Sequence, residues 1–282
     1  MTRAFDFGGK NMLGAMIYRL RAREQGSLPV YNGRFMHAVA FKLLQQANAR
    51  LAEQIHDGMQ WKPFTSSMLT PAGRCRKQNG KWQLPAGAEV LWRLTALQDD
   101  VLDIFLRRIE PGREIYVGKL PFELAEVSAD PARYPGTGVC RGEELLAASL
   151  SAEKIDEITL DFCSPTTFHS FGDDMPWPQP NLVFGSLAEK FLQAGMPARL
   201  DIQMLKQYAA NLLPIAWSGH TEVVAFDNTR IYRSFTGRFT YALSGLPPEA
   251  RQTLLLLAHF AEFSGAGRMT GQGMGQVRMS YR

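Results

Sequence analysis

Histidine has an ordinary pKa closer to neutrality than any other side chain, so histidines lead any search for proton-transfer chemistry. The chain has five: His37, His56, His169, His220 and His259. His37 stands in "RFMHAVAF", where Met36, Ala40, Leu43, Ala47 and Leu51 repeat at helical spacing. On a helical wheel it falls at the shoulder between that apolar stripe and the polar face. Arg34 lies one turn earlier on nearly the same side, and Tyr31 comes just before the helix. Lys42, five residues on, is well round the wheel. His169, in "TTFHSFG", follows a strand. His56 is expected at a helix end, where a positive charge suits the dipole. His220 has no evident partner, and His259 lies in an apolar helix and is expected in the core.

A second feature is the glycine pattern of "SGAGRMTGQGMGQV". It reads Gly265-x-Gly267, five residues, then Gly273-x-Gly275. Nucleotide-binding glycine loops follow an early strand and open a helix, and this one does neither. Glycine lets the main chain approach a neighbour closely and turn to positive φ, so that successive N–H groups can face an anion. Arg268 adds a charge inside the loop. Such a loop either holds an anionic backbone or braces two parts of the fold.

The other chemistries have little support. Cys75, Cys140 and Cys163 are odd in number and widely spaced, with no Cys-x-x-Cys pair, so neither a disulfide framework nor a zinc site is indicated. There is no HExxH, no EF-hand loop and no carboxylate cluster at ligand spacing. We therefore expect no metal and no cofactor. Tryptophans such as Trp82, beside the basic "GRCRKQNGKW" loop, can stack bases but more often pack.

Elements that position these residues follow from periodicity. Met12–Arg23 reads as a strand, "GSLPVYNGR" as a loop, and Arg34 to about Ile55 as one helix. "KPFTSSML" and "AEVLWRLTAL" are strands joined by the basic loop, Asp99–Ile109 is a helix, and "REIYVG" and "FELAEVSA" are strands. The order strand, helix, strand, strand, helix, strand is the ferredoxin-like unit. "RYPGTGVCRG" reads as a linker. The order then recurs, with helices in "PNLVFGSLAEKFLQAG", near Met204–Leu213, and in "PPEARQTLLLLAHFAEF", and "QVRMSY" as the last strand. This predicts an α+β protein of two tandem ferredoxin-like units, residues 1–134 and 135–282, each an antiparallel sheet with helices on one face. In the strand from Thr229 to Leu243, Ile231, Phe235, Phe239, Tyr241 and Leu243 share one face. Tyr232, Thr236, Arg238 and Thr240 share the other.

Bulk properties agree with a globular chain. The hydrophobic share is 45% and the charged share 21%. No apolar run is long enough for a membrane helix, and no secretory signal is evident, so a cytoplasmic location is expected. The net charge of +4 permits a polyanionic partner without requiring one. Arg19, Arg21 and Arg23, the basic loop, Arg230, Arg233 and Arg238, and the arginines around the glycine loop could together track phosphates.

Placed between the last helix and the last strand, the glycine pattern resembles the C-terminal G-x-G-x5-G-x-G signature of the CRISPR-associated RAMP endoribonucleases, which cut precursor CRISPR RNA within its repeats. "LPVYNGRFMHAVAFKLL", "IHDGMQWKPFTSSML", "CSPTTFHS…PQPNLVFGSLAEKF" and "GRFTYALSGL" are similar to other segments of that family, from about residue 12 onward. The resemblance implies metal-independent cleavage by the RNA's own 2′-OH, leaving a 2′,3′-cyclic phosphate and a 5′-OH. It implies that His37 is catalytic, with Tyr31 orienting it and Lys42 supporting it. It places Arg34, His169, Gly265, Gly267, Arg268, Thr270, Gly273 and Gly275 against RNA. The partner would be a CRISPR repeat, with other effector subunits open. Two other classes stand beside this one: a non-cutting RNA-binding subunit, and a metabolic α+β protein with no nucleic-acid partner.

Overall fold

A computed structural model describes residues 11–58, 61–73, 75–227 and 229–282. The chain opens with β1 (Met12–Ala22), β2 (Gly26–Pro29), α1 (Gly33–Ala47) and α2 (Ala49–Gly58). There follow β3 (Phe64–Ser66), β4 (Thr70–Pro71), β5 (Arg76–Gln78), β6 (Lys81–Leu84) and β7 (Glu89–Ala96). Helix α3 (Asp99–Asp103) runs on as a π-helical turn over Ile104–Arg108, and then come β8 (Glu114–Val117) and β9 (Leu120–Ser128). The sheet order is β3-β7-β1-β9-β8, with β4 on β7 and β10 (Gly138–Arg141) on β1. The four strands β3-β7-β1-β9 have the ferredoxin-like order, and Met36, Val39, Ala40, Leu43 and Leu44 of α1 are buried on the sheet.

After α4 (Gly142–Leu150) the order repeats: β11 (Glu157–Thr166), the hairpin β12 (Phe168–Ser170) and β13 (Asp173–Met175), α5 (Pro180–Gln193), α6 (Ile202–Ala210), β14 (Leu213–Ala225), β15 (Ile231–Ala242), α7 (Pro248–Ser264) and β16 (Val277–Tyr281). The sheet order β14-β15-β11-β16 is again ferredoxin-like. The expected architecture is present in both units.

Helix α7 joins them. Leu254, Leu255, Leu256, Leu257 and Ala258 are all buried, so the helix is apolar around its whole girth. It packs on β11 and β16 of its own sheet and on β1, β3 and β7 of the other. Its last carbonyls have no partners within the helix. Arg93 donates to Glu262 O at 2.8 Å, and Thr95 Oγ1 to Phe263 O at 2.7 Å. Both donors lie on β7, so the first unit caps a helix of the second.

Several local expectations need correction. The single helix to Ile55 is two, because Asn48 is extended (φ −156°, ψ 91°) and accepts the Leu51 amide on its side chain to start α2. "GSLP" is not loop but strand β2, which pairs with β6, and the basic loop contains the β5–β6 hairpin. Part of the linker is β10 and its continuation is α4. Ile231, expected on the covered face of its strand, is 55% exposed where it pairs with Ala225 at the turn end of the β14–β15 hairpin. No helix of the described residues is long and apolar enough to cross a membrane.

Candidate active site

The site starts from how the glycine loop is held. Gly265 leaves α7 at φ 60° and Gly275 turns back at φ 72°, with the Ala266 amide donating to Gly275 O at 2.9 Å. A Cβ on Gly275 would lie 2.2 Å from Ala266 O, so no other residue fits this crossing. The Arg268 amide donates to Thr167 O and the Gly275 amide to Pro165 O, both at 2.9 Å, while the Gly267 amide reaches Ser186 Oγ at 3.3 Å. These main-chain donors are therefore spent inside the protein. The expected row of free amides at these positions is corrected, and the loop braces the fold.

Its tip reaches the first unit. Met269, left-handed at φ 56°, starts a 3-10 turn over Thr270–Gln272. Gly273 forms a parallel bridge with Ser67, and Gln272 O sits where a Cβ on Gly33 would be, 1.8 Å away. The start of α1 is pinned too. Buried Asn32 accepts the Leu69 amide at 2.8 Å and donates to Pro29 O at 3.1 Å. Two backbones thus meet without side chains between them, and His37 stands one helical turn further along α1.

His37 is half-buried. Its Nδ1 lies 2.9 Å from Gly271 O. A carbonyl only accepts, so Nδ1 carries the hydrogen and the Nε2 lone pair is left for chemistry in the neutral ring. The ring meets Phe41 edge-on at 4.9 Å and stacks on Phe64 at 5.9 Å. Burial pushes its pKa below the usual 6.5, opposed by the Gly271 bond and reinforced by Lys62, His56 and Arg34. The imidazole is therefore a neutral base at physiological pH.

His37 lines a cleft of about 300 Å³, with Trp61, Lys62, Lys190, Thr270 and Gly271 around it. Lys62 donates to Ile55 O at 2.6 Å and lies 5.8 Å from the Phe41 ring centre. Lys190 donates to Ser264 O, Gly265 O and Thr270 Oγ1 at 3.3, 3.1 and 3.4 Å. As a residue Lys190 is partly exposed, but its ammonium group is enclosed, and burial lowers its pKa to about 7. An imidazole and two ammonium groups around a narrow cleft form a site for an anion that exchanges a proton.

The other candidates lie elsewhere. Tyr31 does not line the cleft; its hydroxyl donates to Glu222 on β14 at 2.8 Å, and burial followed by that carboxylate raises its pKa to about 12. Arg34 pairs with Asp227 at the turn between β14 and β15. Lys42 is exposed on α1 and outside the cleft, where Lys62 and Lys190 stand instead. His169 and Arg268 come together, Nδ1 to Nη1 at 3.5 Å, with Asp174 3.1 Å from Arg268. His259, expected in the core, is only half-buried on α7 and meets the ring of exposed Tyr281 edge-on at 5.9 Å. Arg19, Arg21 and Arg23 do not form a free basic track, since Glu89, Glu126, Glu114 and Glu123 pair with them. Arg74 lies outside the described residues, and Trp82 packs partly buried against the first core. Among the described residues, no three His, Cys, Asp or Glu side chains gather as metal ligands.

Lys62 and Lys190 are the cleft lysines that sequence reasoning missed, and Lys190 is the more telling. The signal was there: it stands three residues after Leu187 and seven after Val183, within the apolar stripe of α5. A lysine in such a stripe must find acceptors or lose its charge.

The model of CRISPR-associated endoribonuclease Cas6 matches residues 160–277. A curated relative of that name from Mycobacterium tuberculosis is 31% identical over 120 residues, 43% of this chain. One from Streptococcus thermophilus is 24% identical over 242 residues, covering 85% of this chain and 89% of the relative. A solved Cas6 product complex from Thermus thermophilus superimposes with a TM-score of 0.78 at 28% identity, covering 96% of this chain and all of that one. The chain is similar to Cas6 endoribonucleases over most of its length. The Cas6 model takes in α5 with Lys190 and the whole glycine loop, whereas His37 lies outside it. The chain spans only 38% of the length of the M. tuberculosis Cas6 that it matches.

Proposed function

We propose that the chain is an endoribonuclease that binds a CRISPR repeat in precursor RNA and cuts it in the cleft of His37. The observation that carries this is the fixed tautomer: Nδ1–H is held by Gly271 O, which leaves Nε2 as a base beside two ammonium groups. RNA supplies the nucleophile. Nε2 takes the proton from a 2′-OH, the 2′ oxygen bonds to the adjacent phosphorus, and the bond from phosphorus to the 5′ oxygen breaks as that oxygen gains a proton. The cations offset the charge on the crowded phosphorus. The products are a 2′,3′-cyclic phosphate and a 5′-OH, with no metal needed and the cytoplasm as the site of action. Arg268 and His169, next to the loop, are positioned to touch the RNA backbone beyond the cleft.

The test is cleavage of repeat RNA in chelator, with and without one 2′-deoxy nucleotide at the scission site. The deoxy substrate should bind and resist cutting. Equal cutting of both would refute the proposed attack. A chain that binds the repeat with salt-sensitive affinity and cuts neither substrate would be a non-cutting RNA-binding subunit.

A further inference from the structure

Lys190 sits in the last turn of α5, in the second unit, yet its ammonium group reaches the cleft that His37 lines from the first. An ammonium has three N–H donors. Here all three have acceptors: the carbonyls of Ser264 and Gly265 at the end of α7, and Thr270 Oγ1. Among the described residues no carboxylate pairs with it; the charged or titratable groups sharing its cleft are His37 and Lys62. Capping α7 would need only the two carbonyl bonds. The third bond goes to the residue preceding Gly271, whose carbonyl orients His37. Lys190 thus ties α7, the loop tip and, through one peptide, the imidazole into a single arrangement. With its donors already engaged, it is poorly placed to give a hydrogen bond to substrate.

We propose that Lys190 is a positioning residue: it clamps the Thr270–Gly271 turn to the end of α7 and so keeps His37 in the tautomer that presents Nε2 to the cleft. The proposal rests on the nuclease reading for its consequence, but not for its geometry. Removing the clamp frees the turn, loosens the Gly271 carbonyl and lets the ring populate the other tautomer.

The test has two arms, run on wild type, Lys190→Met and Lys190→Arg. The first is nitrogen-15 NMR of the His37 ring in the RNA-free protein. Wild type and Lys190→Arg should show Nδ1–H in the neutral ring, and Lys190→Met a mixture. The second is single-turnover cleavage beside the RNA dissociation constant. Lys190→Met should slow cleavage on the order of tenfold or more at saturating RNA with little change in affinity, and Lys190→Arg should recover much of it. A folded Lys190→Met with the wild-type tautomer overturns the proposal, even if it cuts slowly. So does a variant that loses affinity and keeps its rate, because Lys190 would then be a substrate contact. If Lys190→Met does not fold, Thr270→Val removes only the third bond; an unchanged tautomer there is equally fatal. If the wild type cuts no repeat RNA, the nuclease reading fails and the NMR arm still decides the clamp.

Discussion

Replacing Gly33 with alanine should damage the active site from a position that carries no chemistry. The added Cβ would stand 1.8 Å from Gln272 O and 2.4 Å from its carbonyl carbon. Real Cβ contacts begin at 3.0–3.4 Å, so α1 and the loop tip must separate by the difference from 1.8 Å, roughly 1.2–1.6 Å. The obstacle is main chain on both sides, which no rotamer change relieves. Overpacking of this kind costs about 1–3 kcal/mol, and alanine returns at most about 1 kcal/mol through its better helix propensity. The net loss, up to about 3 kcal/mol, lowers the melting temperature by up to several degrees in a chain of this size. The larger effect is on chemistry. Gly271 precedes Gln272, so the same shift stretches the 2.9 Å bond from His37 Nδ1 past hydrogen-bonding range. Misplacement of about 1 Å can cost on the order of 100-fold in rate. Single-turnover cleavage of repeat RNA, run beside thermal melting, measures both. Gly73→Ala is the control, because its Cβ would meet nothing within 4 Å. If Gly33→Ala melted and cut like wild type, the loop tip could not be seated against α1 in solution, and the account of how His37 is held would be wrong.

Other outcomes follow from the same geometry. Because burial lowers the His37 pKa, the cleavage rate should fall toward acid with its half-point below pH 6.5. Its stability contribution has the same sign, being full above 6.5 and lost toward acid. Lys190 titrates at about 7 in the fold and 10.5 when unfolded, so between those values the unfolded chain holds more protons and stability rises with pH. Wild type should therefore gain on Lys190→Met across that window, at up to about 1.4 kcal/mol per pH unit, read as a difference in melting curves. Arg34→Ala should change melting little, since its pair with Asp227 is substantially exposed. Arg268→Ala should weaken RNA binding and lower its salt dependence by about one unit of slope, without changing the rate at saturation.

The architecture was legible in the sequence because it is written in periodicity. A period of two in "DEITLDFCSPTTF" and near-continuous apolarity in "TLLLLAHF" state directly which residues are covered. What was not legible depended on contacts across the chain. Asn48 breaks the first helix through a backbone conformation that no apolar period encodes. Short β2, β5 and β6 exist because they pair with one another. The site divides the same way. His37 was identifiable from its residue type and its place on the wheel. Lys62 and Lys190 were overlooked, since what brings Lys190 to the cleft is a bond to Gly265 O far along the chain and Lys62 is turned toward Ile55 O at the end of α2, whereas Lys42, close to His37 along the helix, points to solvent. The glycine loop showed its spacing but not its use; only its hydrogen bonds distinguish a brace from an anion cradle.

The central claim is that His37 moves the proton. The most direct test is His37→Ala measured for binding and for single-turnover cleavage on the same repeat RNA. The variant should bind with near-wild-type affinity and cut slower by about 10²- to 10⁴-fold. A His37→Ala protein that cuts at the wild-type rate would contradict the account.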